Sequence, residues 1–147
     1  MPVATKTTAA DLDLASVLRL SVMRLGRRLR AQRSDETLSL TQLAALATLV
    51  HHGGMTPTAL AEHEHVQPPS MTRVIAGLEE RGLVERLDHS SDRRQFVIEI
   101  TAAGRALVVE DRRRRDQWIT KQLALMTPSE REALRQVAPL LQRLAEA

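Results

Sequence analysis

The sequence predicts a mainly α-helical protein carrying one small β-hairpin, and three observations lead there. Apolar residues recur at helical spacing through most of the 147 residues. The stretch 83–100 breaks that rhythm: Leu83-Val84-Glu85-Arg86-Leu87 and Phe96-Val97-Ile98-Glu99-Ile100 read as two short strands around a polar turn at 90–95. Trp118 and Phe96 are the only aromatic rings, so the core must be built from Leu, Val, Ile, Ala and Met, which suits helices.

Residues 1–10 lack an apolar signal core and read as a loose tail. From Asp11 to about Gln32, Leu14, Val17, Leu18, Val22, Leu25 and Leu29 form a helical stripe. Arg24, Arg27, Arg28 and Arg30 crowd its later turns as a solvated cationic face that complements the helix C-terminus. Ser39-Leu40-Thr41-Gln42 is a capping box opening a second helix, which Gly53-Gly54 stops. Thr56-Pro57 restarts a short helix over residues 58–64, with threonine as cap and proline in the first turn. Pro68 and Pro69 open the next helix, where a missing N–H costs nothing. Met71, Val74, Ile75 and Leu78 give that helix its buried stripe, and Gly82 ends it. Ser70, Thr72 and Arg73 fall largely off the stripe.

Two short helices, a proline-started third helix and a hairpin with a basic tip make the layout of a winged helix-turn-helix. In that layout one helix enters a DNA major groove while the hairpin follows the neighbouring backbone or minor groove. Thr101 caps a following helix that runs to about Met126. Its middle, residues 110–117 (EDRRRRDQ), has no apolar residue and offers Glu110–Arg114, Asp111–Arg115 and Arg112–Asp116 pairs at one-turn spacing, as suits a bridge between two lobes. Thr127-Pro128-Ser129-Glu130 is a second capping box, and Leu134, Val137, Ala138, Leu141 and Leu144 follow as a stripe interrupted by Pro139, which should kink the helix.

The run S-M-T-R-V-I-A-G-L-E-E-R-G-L-V-E-R, then D-R-R at the hairpin tip, then I-T-A-A-G-R-A-L, resembles the multiple-antibiotic-resistance regulator (MarR) family of bacterial transcription factors. The similarity covers nearly the whole chain, with one departure at Gln67, where members often carry serine or another good cap. The resemblance implies a single domain spanning residues 1–147. Residues 38–100 would form a winged-helix DNA-binding lobe, and 11–37 and 101–147 a helical dimerisation lobe built from both termini. It also implies a homodimer on double-stranded DNA, most often a repressor, and a small aromatic or anionic effector.

The candidate DNA-binding residues are Pro69, Ser70, Met71, Thr72 and Arg73 on the helix and Asp92, Arg93 and Arg94 at the hairpin tip. Arginine matches guanine edges with two parallel hydrogen bonds, and threonine suits a phosphate or a thymine methyl. Arg94 is the best groove-inserting residue of the tip, since a narrow minor groove attracts arginine. Asp92 repels phosphate, so its role is to hold an arginine or the turn itself.

A net charge of +3 makes the chain no polycation, so any nucleic-acid surface depends on where its arginines sit. The absence of cysteine excludes disulfides, thiol redox sensing and thiolate metal sites. No apolar run approaches the roughly 18 residues of a membrane span, and a cytoplasmic location is expected. His51, His52, His63 and His65 beside Glu62 and Glu64 invite a zinc-responsive reading. However, His63-x-His65 points to two helix faces and no H-x-x-x-H pair exists, so surface histidines and no metal or cofactor are expected. No phosphate loop or nucleophile elbow points to an enzyme. A winged helix used only for protein contacts would leave the basic tip unexplained.

Overall fold

The computed structural model describes residues 6–89, 91–92 and 94–147. Among these the elements are α1 (Ala9–Arg30), α2 (Leu40–His52), α3 (Pro57–His63), α4 (Pro68–Glu80), β1 (Val84–Asp88), β2 (Phe96–Ile100), α5 (Ala102–Ala124) and α6 (Pro128–Ala145). The strands pair antiparallel, with Val84 opposite Ile100 and Asp88 opposite Phe96. The chain is therefore mainly helical with one hairpin, as the sequence predicts.

Each helix start has a chemical cause. The Ser39 hydroxyl accepts from Gln42 N at 3.1 Å while Gln42 Oε1 accepts from Ser39 N at 2.9 Å. Thr127 and Glu130 repeat that exchange at α6. A third box, Thr8 with Asp11, starts α1 inside the stretch expected to be tail. Gln67 makes no side-chain cap bond, so α4 begins on its two prolines alone.

Helix ends adjust the expected bounds. Leu83 was expected to open β1, but its N–H donates to Leu78 O at 3.0 Å while Gly82, at φ 69°, donates to Glu79 O at 2.9 Å. Leu83 thus closes the cap of α4, and the strand starts one residue later. The same cap ends α3, where Val66 N donates to Ala61 O at 2.9 Å and His65 takes the left-handed position at φ 52°. The last turn of α5 tightens, with Leu125 and Met126 donating to Gln122 and Leu123, so the regular helix stops before Met126.

The core lies among α2, α3, α4, the hairpin and the start of α5. Leu38, Leu46, Leu49, Leu60, Met71, Ile75, Leu78 and Ile98 are its fully buried large side chains. Met71, Ile75 and Leu78 lie on one face of α4, and burial of each stabilises by roughly 1.5–3 kcal/mol. Met55 extends the hairpin by an isolated bridge, exchanging hydrogen bonds with Ile98 at 3.1 and 2.8 Å.

α1 and α6 contrast with this core, because neither contains a buried residue. Leu12, Leu14, Val17, Leu20, Val22, Met23 and Leu25 on α1 are exposed, as are Leu134, Val137, Leu140, Leu141 and Leu144 on α6. α6 continues as one helix through Pro139.

The polar middle of α5 forms two of its three expected one-turn pairs, Glu110–Arg114 and Asp111–Arg115, with one residue turned inward. Asp111 is 2% exposed, and among the described residues its one acidic–basic contact is a long 3.6 Å approach to Arg115. Glu110 takes the expected Arg114 at 3.1 Å and, in addition, Arg113 through two bonds of 2.8 and 2.7 Å, which hold its carboxyl down to about 2. Being depressed, that carboxyl supports the helix above its ordinary value of 4.5 and loses the effect as pH falls toward about 2. Among the described residues Arg112 and Asp116 form no ion pair.

The left-handed His65 yields a direct test. Glycine has no steric cost there, so His65→Gly should raise the unfolding free energy by up to ~1 kcal/mol. His65→Val should lower it by at least as much, because β-branched residues tolerate positive φ least. Urea unfolding of both variants decides, and destabilisation by glycine would show that the imidazole contributes more than its backbone conformation costs.

Candidate nucleic-acid interface

The packing of α4 divides its side chains into two sets. Pro69, Ser70, Thr72 and Arg73 are exposed at its N-terminal half, while Met71 is fully buried. Met71 therefore leaves the candidate set: its side chain fills the core, the role its place on the apolar stripe already suggested. The Thr72 hydroxyl donates to Pro68 O at 3.0 Å, which occupies its proton and leaves the methyl and oxygen lone pairs facing outward. That arrangement favours the thymine-methyl contact over donation to a phosphate. Among the described residues Arg73 has no acidic partner.

At the hairpin tip, Asp92 works on the backbone. Its Oδ1 accepts from Arg94 N at 2.9 Å and its carbonyl from Gln95 N at 3.2 Å, a local turn that leaves the Arg94 side chain exposed. Arg93 lies outside the described residues. His89 joins the base of the tip, its Nδ1 accepting from Ser91 N at 3.3 Å. Arg86 on β1 is engaged within the protein: its Nε donates to Glu79 Oε1 at 2.7 Å and its guanidinium lies 4.3 Å from the Phe96 ring centre.

The histidines meet each other rather than forming a ligand set. The rings of His51 and His52 lie 4.8 Å apart and those of His52 and His63 4.7 Å apart, in edge-to-face contact. Among the described residues no three His, Asp or Glu side chains form a group able to hold a metal ion.

Sequence reading missed the polar anchors behind this surface. Ser34 donates to Asp111 Oδ1 from both its N–H and its hydroxyl, each at 2.5 Å. The Arg81 guanidinium pairs with Asp35 and donates to Thr37 Oγ1 at 2.7 Å. Asp111 lies early in a charged run, yet it comes seven, four and three residues after Gly104, Leu107 and Val108, and that spacing on one helix face is the signal that could have found it.

A three-helix unit with one exposed helix face, joined to a hairpin with an arginine at its tip, defines a helix-turn-helix regulator of the winged type. A model of the MarR family matches residues 38–96. The chain is 47% identical over 137 residues to the HTH-type transcriptional regulator MT0903.1 of Mycobacterium tuberculosis, covering 93% of this chain and 96% of that one. It is 28% identical to the HTH-type transcriptional repressor MdtR of Bacillus subtilis, over 92% of this chain and 88% of that one. A solved structure of a transcriptional regulator protein from Pseudomonas aeruginosa superimposes with a TM-score of 0.84 at 32% identity, over 96% of this chain and 99% of that one. The chain belongs to the MarR family of DNA-binding transcriptional regulators, which are not enzymes.

The turn built by Asp92 makes a specific prediction. Asp92→Ala should change the unfolding free energy by less than ~0.5 kcal/mol, as for other exposed positions. The amides of Arg94 and Gln95 should nevertheless exchange faster with deuterium, because the tip loses its side-chain acceptor. Unchanged exchange would mean that the carbonyl contact alone holds the turn.

Proposed function

We propose that this protein is a cytoplasmic homodimeric repressor that binds a near-palindromic operator and is modulated by a small aromatic or anionic effector. The observation that carries the DNA part is the pairing state of its arginines. Arg73 on α4 and Arg94 at the tip are exposed without acidic partners among the described residues, whereas Arg81 and Arg86 beside them are engaged. Arg73 reads a base edge in the major groove together with Pro69, Ser70 and Thr72. Arg94, with Arg93 and the turn made by Asp92, follows the minor groove or backbone. The repressor reading is supported by the name of the MdtR relative.

Dimerisation follows from the unburied stripes. Two helices of 22 and 18 residues with exposed leucines and valines need a cover, and a second copy supplies both stripes at once across a two-fold axis. Residues 11–37 and 101–147 then form the dimer lobe and 38–100 the DNA lobe. The two recognition helices must stand about one DNA turn, ~34 Å, apart.

The effector reading rests on a cleft of about 390 Å³ between the α1–α2 connection and α5, where Arg33, Lys121 and Trp118 stand with Glu36 and with Arg113 and Arg114, both paired to Glu110. Arg28 approaches the Trp118 ring to 5.7 Å. Cations around one indole suit a flat anion, and any ligand acts only by binding two recognition-helix spacings with different affinity.

The test is operator affinity, measured on a sequence selected from random DNA, on its single-base variants and on unrelated DNA, at several salt concentrations. Arg73→Ala should lose ~1–3 kcal/mol of discrimination at one position per half-site. Arg94→Ala should weaken binding more evenly and reduce the salt slope by about one unit per protomer. Equal losses on every sequence for Arg73→Ala would show that another residue occupies the major groove. Leu18→Asp and Leu141→Asp should shift sedimentation toward monomer and weaken operator binding with it; a monomeric unmodified protein at micromolar concentration overturns the dimer. Benzoate, the simplest aromatic anion, should change the emission of Trp118, the sole indole, in a saturable way that Lys121→Ala weakens.

A further inference from the structure

The connection between α1 and α2 is fastened at two neighbouring residues to two different helices. Ser34 is held by Asp111 in the middle of α5 through two bonds of 2.5 Å. Asp35, the next residue, pairs with Arg81, the C-cap of α4. Asp35 also stiffens the connection itself, accepting from Thr37 N at 2.9 Å and Thr37 Oγ1 at 2.5 Å, and Thr37 Oγ1 in turn accepts from Arg81 at 2.7 Å. These contacts hold the Asp35 carboxyl below its ordinary value, the Thr37 hydrogen bonds contributing most and Arg81 less.

We propose that residues 34–37 are a strut that fixes the angle of α4 for DNA reading, with Asp111 and Arg81 as its positioning residues. The inference rests on the reading that α4 meets DNA. The two anchors differ in kind, and the difference gives the strut its function. Asp111 is buried, so moving Ser34 away would leave a buried carboxylate without its donors, which is costly. The α5 end is therefore firm. The Arg81–Asp35 pair is solvent-accessible, with side chains 36% and 24% exposed, and such pairs add little to overall stability. At the other end of α4, Gln67 gives no side-chain cap. The polar fastening of α4 is thus concentrated at its C-terminal end, where it can set orientation without carrying the fold.

Asp35→Asn is the deciding variant, because two readings of Arg81 predict opposite signs. If Arg81 is a DNA-contacting cation that Asp35 merely masks, removing the acid should strengthen binding to all DNA and steepen its salt dependence. If the strut positions α4, Asp35→Asn should weaken operator binding roughly three- to fivefold, the size of an exposed ion pair. Its salt slope and its affinity for unrelated DNA should stay unchanged. Arg81→Ala should match it, Arg81→Lys should recover part of the loss, and Ser34→Ala should act in the same direction. Thermal melting by circular dichroism should place Asp35→Asn close to the unmodified protein, and amides at the end of α4 should exchange faster. Unchanged or strengthened operator binding by Asp35→Asn overturns the strut. Should Arg73→Ala leave operator binding intact, the reading of α4 itself falls, an outcome independent of the Asp35→Asn result.

Discussion

One hydroxyl fastens three elements of this molecule together. Thr101 Oγ1 donates to Gly82 O at 2.7 Å and accepts from Gly104 N at 3.2 Å, while its own N–H donates to Leu83 O at 3.0 Å. The turn after α4, the end of β2 and the first turn of α5 therefore meet within a single residue's reach. Gly104 makes the approach possible, because a methyl in place of its hydrogen would lie 2.6 Å from Ile100 Cγ1 and closer still to Leu83 O. With α5 lying this close to the hairpin, the turn after α4 and the hairpin cannot move apart from the start of α5 without breaking bonds at Thr101, and the tilt of α4 itself is left to its other contacts.

That junction explains which parts of the fold were readable in the sequence. Caps, glycine stops and apolar stripes are local, so Ser39 with Gln42, Thr127 with Glu130, Gly82 and the Met71–Leu78 face could each be read from a few residues. The T-x-x-G spacing of Thr101 and Gly104 was legible as a helix start, but not as the meeting point of three elements, since its partners Gly82 and Leu83 lie nearly twenty residues earlier. Asp111 was legible only in part. Its pairing with Arg115 could be read locally and its spacing from Gly104 and Val108 puts it on the buried face, but its hydrogen-bond partner Ser34 lies 77 residues away. Met55 gave no signal because a bridge of one residue has no period. His65 occupies a position where glycine would have announced a turn.

The candidate site was legible to a different degree. Composition supplied 21 basic residues and a net charge of +3, which say nothing about where a nucleic acid would lie. Structure sorts those cations by what they touch. Arg81 and Arg86 brace α4 against the connection and the hairpin, and Arg113, Arg114 and Arg115 answer carboxylates along α5. Among the described residues Arg73 and Arg94 remain outward without an acid beside them, as do Arg24 and Arg27 on α1, so an unpaired arginine is informative only together with its place on α4 or the hairpin tip.

This sorting sets the character of DNA binding for the proposed dimer. Each released counterion steepens the salt dependence by close to one unit, and the proposed contact elements carry few unpaired cations, Arg73 and Arg94 among the described residues. Non-specific attraction must then be modest, in contrast to a protein coated in unpaired lysine. The gap between operator and unrelated DNA cannot come from adding charge; it must come from geometry, with base-edge hydrogen bonds made only when both recognition helices sit at the right spacing and tilt. A small departure from that geometry costs both half-sites together, because the two-fold axis copies it. A regulator with few unpaired cations on its contact elements is on this account easier to switch than one with a strongly cationic contact face, since little non-specific affinity remains to hold it on DNA once the geometry is lost.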